Sequence, residues 1–190
     1  MRPSRPRKDS SLSWRLGLDE YGSADRFVPL DQGGREIGFD EARRLIIESS
    51  STLGSEVQGL VRRAFSEAWI DSIERPGKRA HGGATFVAGH PFVLVNYRGS
   101  LENLFQLSHE IGHAVHSYIA YHAQPFVYTH PSSLTAEVVA SVFEGALVEE
   151  MVGQDASRKE KILVLDLSIH NILRLFYRPM VDADFELRRL

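Results

Sequence analysis

The chain has 190 residues, 43% of them hydrophobic and 25% charged, with a formal net charge of -3. These values describe a globular protein long enough to bury a core and exclude a collagen-like, globally disordered or multi-span membrane chain. With no cysteine present, disulfides, thiol catalysis, iron–sulfur clusters and cysteine zinc sites are ruled out, so any metal rests on carboxylates and the eight histidines.

The N-terminus carries Arg2, Arg5, Arg7 and Lys8. No apolar run of signal-peptide length follows, so a solvated tail over 1–11 is expected. No aromatic residue interleaves the charges and the net charge is negative, so no nucleic-acid partner is expected. No run of 18 apolar residues occurs, so neither a membrane-spanning helix nor a membrane partner is expected. Cytoplasm is the expected location. Residues 12–38 read as irregular entry structure.

A short helix is expected from Asp40, with Ala42, Leu45 and Ile46 on one face. Ser55 with Gln58 three residues on reads as a capping box opening a helix that runs through Trp69. Residues 75–83 are a loop by their Pro and Gly. Two strands follow, 84–88 and 92–98, with Gly89, His90 and Pro91 as the turn. A long helix capped at Ser100 runs to about His122, then a loop to Ser132. A second long helix spans Ser133 to Val152. Ser157 with Glu160 forms a second capping box, and Pro179 kinks or interrupts the helix it opens. The class is mainly α with a small β-hairpin.

His109-Glu110-Ile111-Gly112-His113 lies inside the first long helix. Histidines at i and i+4 share one helix face, so their imidazoles can converge on one tetrahedral ion. Glu110 sits beside them as a proton carrier rather than a ligand. Zinc suits such donors and lowers the pKa of bound water to about 7. Glu110 then takes the proton during attack and returns it to the leaving amine. A third ligand must come from another element. Glu137, 24 residues after His113, reaches it if the second long helix runs back antiparallel. His116, His122, His130 and Glu144 compete for that place. Glu144, seven residues after Glu137, is the expected acceptor for the free N–H of a ligand histidine, and His116 the other expected supporting residue.

The segment Leu107-Ser108-His109-Glu110-Ile111-Gly112-His113-Ala114-Val115-His116-Ser117-Tyr118 resembles the zinc helix of the thimet oligopeptidase and oligoendopeptidase F family of zinc metallopeptidases. Gln124-Pro125-Phe126-Val127-Tyr128 resembles the loop that follows it there, and Ala136-Glu137-Val138 with Glu144 the segment holding the third ligand. Gly77-Lys78-Arg79 and His90-Pro91-Phe92-Val93-Leu94-Val95-Asn96-Tyr97 are similar to upstream parts of that family. Trp69-Ile70-Asp71 and Phe176-Tyr177-Arg178 match its preceding and following helices. The resemblance implies one zinc ion on His109, His113 and Glu137 with Glu110 as base. It makes His90 and Tyr97 substrate-binding candidates.

The implied fold is a helical, zincin-like catalytic core with a β-hairpin, a truncated part of a larger helical peptidase. Residues 1–24 are then tail and entry segment, and 25–190 a partial catalytic domain. The implied function is zinc-dependent hydrolysis of short peptides by Glu-assisted attack of zinc-bound water. The alternative is a catalytically weak or inactive zinc-binding remnant that acts, if at all, through a partner. The departures favour it: the family's later His and Tyr, which stabilise the oxyanion, have no counterpart, and Ala80-His81-Gly82-Gly83-Ala84 replaces a Ser-Gly-Ala-Tyr pattern. Tyr118, Tyr121, Tyr128 and His130 are the in-chain substitutes. An oligomer or a partner supplying the rest of the fold is expected alongside the peptide substrate.

Overall fold

A computed structural model describes residues 36–153 and 156–189. They fall within one unit, Arg35–Leu190. The expected tail and the boundary at residue 25 lie outside the described residues.

Helix α1, Phe39–Ser49, buries Ala42, Leu45, Ile46 and Ser49, the i, i+3, i+4, i+7 stripe of an amphipathic helix. A 3₁₀ turn, Ser50–Leu53, leads to Gly54 at φ 102° and then to α2, Ser55–Ser66. The expected Ser55–Gln58 box does not form. Gly54 occupies the cap position with no side-chain cap, and Gln58 Nε2 instead donates to the carbonyl of Ile47 at 2.9 Å, tying α2 to α1. Nor does α2 reach Trp69. Ala68 turns left-handed at φ 57°, so the chain leaves the helix and the buried Trp69 stacks on Tyr118, centroids 5.4 Å apart.

Residues 70–71, expected in that helix, form strand β1, Ile70–Asp71, in a three-stranded sheet of order β1-β3-β2. β2, Gly83–Val87, and β3, His90–Leu94, make an antiparallel hairpin. Its turn is Ala88-Gly89, not Gly89-His90-Pro91. Both residues have positive φ, 51° and 84°, the geometry whose twist suits a two-residue hairpin. Pro91 is tolerated in the middle strand because β1 pairs only with Val93 and Leu94, so no neighbour there requires its missing N–H.

Lys78, its side chain 3% exposed, pins the loop before β2. Its Nζ donates to the carbonyls of Asp71, Ile73 and Val95 at 2.9, 3.0 and 2.8 Å and pairs with Asp71 Oδ1 at 3.1 Å. Asn96 Nδ2 donates to the carbonyl of Arg79 at 2.9 Å. Together they bring Arg79 through Gly83 up to the next helix.

That helix, α3, spans Leu101–Ala123; its cap Ser100 accepts the N–H of Asn103. It buries Leu104, Phe105, Leu107, Ile111 and Val115 in the core with Trp69 and Leu147. After the loop and a 3₁₀ turn, Phe126–Tyr128, α4 spans Ser133–Gly153 and returns along α3. The pairs Ser108–Phe143, His109–Glu144 and His113–Glu137 show the antiparallel sense.

The Ser157–Glu160 capping box is present in full and opens α5, Arg158–Ile172. A π-helical turn, Leu173–Tyr177, then leads into α6, Arg178–Leu187. Pro179 interrupts the α-helical ladder in this way. It lacks an N–H and its ring crowds the carbonyl four residues back, and the wider turn absorbs both. Among the described residues no helix is long and apolar enough to cross a membrane.

Candidate metal centre

His109 and His113 stand one turn apart on α3, their rings edge to face with centroids 4.6 Å apart. Glu137, near the start of α4, turns one oxygen to each. Its Oε2 lies 3.3 Å from His109 Nε2 and its Oε1 3.6 Å from His113 Nε2. One donor atom from each of the three falls within 4.8 Å of the others.

The donor set fits a metal ion. Zinc bonds of about 2.0–2.2 Å in a tetrahedron separate donor atoms by about 3.3–3.6 Å, which matches the two separations between Glu137 and the histidines. The hydrogen bonds behind the ligands agree. His109 Nδ1 donates to Glu144 Oε1 at 2.6 Å, which leaves the Nε2 lone pair facing Glu137. Glu144 Oε2 in turn accepts Asn171 Nδ2 at 2.7 Å.

The electrostatics follow from this crowding of carboxylates. Burial works against a charge on His109, but the hydrogen bond it donates to Glu144 and the fields of Glu144, Glu110 and Glu137 outweigh it and raise its pKa. Groups that favour a proton there favour a metal cation too. His113 is shifted down, by burial and by the neighbouring His109, which keeps its Nε2 available as a donor atom. Glu110 is buried, and burial together with the Glu137 charge pushes its carboxyl above the usual range, against the pull of His109 and Arg79.

These groups share a cleft of about 700 Å³, enough for several residues of an extended peptide. Asn103, Gln106 and Phe105 of α3 line it, with Arg79 and His81 from the loop and Asn171 and Arg174 from the α5 side. Sequence reasoning missed these residues. Asn103 and Gln106 were within reach, because they precede His109, Glu110 and His113 at helical spacing. Asn171 carried no signal beyond being a polar residue among Ile169, Ile172 and Leu173.

The structure places other sequence candidates elsewhere. His116 is half-buried on α3 and is not a cleft residue; burial lowers its pKa. His90 packs between Trp69 and Phe92, centroids 6.2 and 4.5 Å away. Tyr97 donates to the carbonyl of Ile37 at 2.8 Å, and burial pushes its phenol up to about 12. His122 stacks on Tyr118 at 4.2 Å, and His130 contacts Thr129. The Tyr118 hydroxyl accepts Arg63 Nη1 at 2.9 Å, Tyr121 packs on Phe86, and Tyr128 is exposed. None of the three tyrosines lines the cleft.

Residues 54–188 match the profile of Peptidase family M3. The chain is 30% identical over 173 residues to oligopeptidase PepF of Bacillus subtilis (strain 168), covering 90% of this chain and 26% of that one. It is 32% identical over 173 residues to group B oligopeptidase PepB of Streptococcus agalactiae serotype III (strain NEM316), covering 90% and 29%. A crystal structure of a Chlamydophila abortus protein superposes with a TM-score of 0.78 at 30% identity, covering 95% of this chain and 31% of that one. PZ peptidase A with a bound inhibitor shares the fold at a TM-score of 0.66, with 20% identity and 86% and 30% coverage. The chain thus spans between a quarter and a third of the length of each of these relatives.

Proposed function

This chain belongs to peptidase family M3, and on that premise we propose that it is a zinc-dependent endopeptidase acting on short peptides. The observation that carries the reading is the convergence of His109 Nε2, His113 Nε2 and the Glu137 carboxylate beside the buried Glu110 in one open cleft. A zinc ion held by those three supplies a Lewis acid for a peptide carbonyl and makes nearby water more acidic. Glu110, next to His109 but outside the donor group, takes a proton from water in the cleft and hands it to the leaving amine. Its upward shift suits a carboxyl that must hold a proton as well as accept one. The amides of Asn103 and Gln106 and the guanidinium groups of Arg79 and Arg174 are the cleft's donors for orienting peptide carbonyls. The oligopeptidase names of the relatives support short peptides as the substrate class.

One observation favours a second reading, a zinc-binding chain with little turnover. Tyr118 and Tyr121 lie outside the cleft, Tyr118 beside Arg63 and Tyr121 against Phe86, so neither is placed as an oxyanion donor. Losing one such donor typically costs about 100- to 1,000-fold in rate.

Metal analysis combined with hydrolysis of a quenched peptide tests both readings. Stoichiometric zinc with turnover abolished by chelation and by Glu110→Gln supports the endopeptidase. Zinc without turnover supports the second reading, and protein that takes up no zinc removes both.

A further inference from the structure

Glu144 is buried, 7% exposed, and both of its oxygens are engaged: Oε1 by His109 Nδ1 at 2.6 Å and Oε2 by Asn171 Nδ2 at 2.7 Å. The amide orientation of Asn171 is settled by its partner, since its own carbonyl oxygen would meet a carboxylate acceptor to acceptor. The terminal torsion of a glutamate is broad and roughly two-fold, so a carboxylate held at one oxygen is free to swing. Held at both, it is locked.

Asn171 comes from α5, which contributes nothing to the donor group itself. With Leu167, Arg174 and Leu175 it falls at i, i+4, i+7 and i+8, the face that α5 and the π turn after it present to the cleft.

We propose that Asn171 is a positioning residue of the metal centre: by anchoring Glu144 it fixes His109 in the Nδ1–H tautomer with Nε2 turned toward His113 and Glu137. The inference rests on the metal-site reading above. It gives the docking of α5 a direct effect on ligand geometry, through a relay of two hydrogen bonds.

The test uses the full chain as wild type, Asn171→Ala, Asn171→Asp, Glu144→Ala, the Asn171→Ala/Glu144→Ala pair, and His170→Ala as an exposed control on the same helix. Zinc dissociation constants are measured by competition with a chromogenic chelator. The imidazole nitrogens of His109 are followed by ¹⁵N NMR in zinc-free protein. Asn171→Ala is expected to weaken zinc binding about tenfold, the lower end for partners behind a ligand. Asn171→Asp, near-isosteric but with a carboxylate against a carboxylate, weakens it at least as much. In both, His109 shifts from one tautomer to a mixture, whereas His170→Ala changes neither readout.

In the Glu144→Ala background, Asn171→Ala adds nothing, because the relay is already broken. The inference is overturned if either folded variant keeps wild-type zinc affinity and an unchanged His109 spectrum. It also falls if Asn171→Ala costs as much without Glu144 as with it. Should Asn171→Ala not fold, Asn171→Asp decides on the same criteria. Should wild type take no zinc, the metal reading fails and the His109 spectrum still decides the role of Asn171.

Discussion

A Cβ on Gly112 would lie 2.9 Å from the Cα of Ala140 and 3.1 Å from the Phe143 ring. Helices α3 and α4 therefore touch backbone to backbone at this point. Glu137 lies three residues before Ala140 and Glu144 four after it, so one close contact sets the height of both carboxylates against the two histidines. The glycine of the histidine motif is thus a packing device, and its φ is ordinary.

Gly112→Ala is expected to force the helices apart at a cost of about 1–3 kcal/mol, as overpacking does. Because Glu137 sits on the displaced helix, zinc affinity falls along with stability. Thermal unfolding and zinc titration of the same variant check this. An unchanged melting temperature means that α4 yields without strain and the contact does not set the site.

Glu110→Gln is expected to keep zinc and lose hydrolysis, since Glu110 lies outside the donor group. His113→Ala loses zinc. Metal content measured after gel filtration separates the two, and equal metal loss in both variants makes Glu110 a ligand and removes it as the base.

Asp71 is held well below the usual carboxylate range, first by the Arg75 hydrogen bond and then by Lys78. A depressed acid binds its proton less tightly folded than unfolded. Its contribution is complete above its unfolded pKa of about 3.9 and disappears as pH falls through the folded value. Asp71→Asn should therefore lower stability at pH 7 and flatten its decline in acid. Denaturant titrations at pH 7, 4 and 3 measure this, and a wild-type acid slope in the variant refutes it.

Lys78→Met keeps the apolar stem but strips the part-buried carbonyls of Asp71 and Val95, and the exposed one of Ile73, of their shared donor. A polar group left buried and unsatisfied costs about 1–3 kcal/mol, so destabilisation should exceed that of an exposed lysine change such as Lys159→Met several-fold. Urea midpoints compare the two, and equal shifts show that water replaces the ammonium.

Ser157→Ala removes the cap of the helix that carries Asn171, at about 1 kcal/mol. A lower melting temperature with zinc affinity within two-fold of wild type is expected, because the cap lies nearly four turns from Asn171. A tenfold loss of affinity shows instead that α5 frays as a unit.

His109, Glu110 and His113 were legible in the bare sequence because their relation is local: helical periodicity puts i and i+4 on one face whatever the rest of the chain does. The Ser100 and Ser157 caps were legible for the same reason, each being decided within four residues. Ser55 failed as a cap because Gln58 found a better acceptor in α1, a partner the local pattern does not contain. Trp69 left the helical pattern for a similar reason, drawn into the core against Tyr118. Glu137 was one of several third-ligand candidates until the Gly112–Ala140 contact brought α4 across the histidine face. Asn171 had no local mark, because its role exists only where α5 crosses α4. Periodicity and capping act over a few residues and are written into the chain order; which helix faces which, and so which carboxylate meets which imidazole, depends on the packing of surfaces distant in sequence.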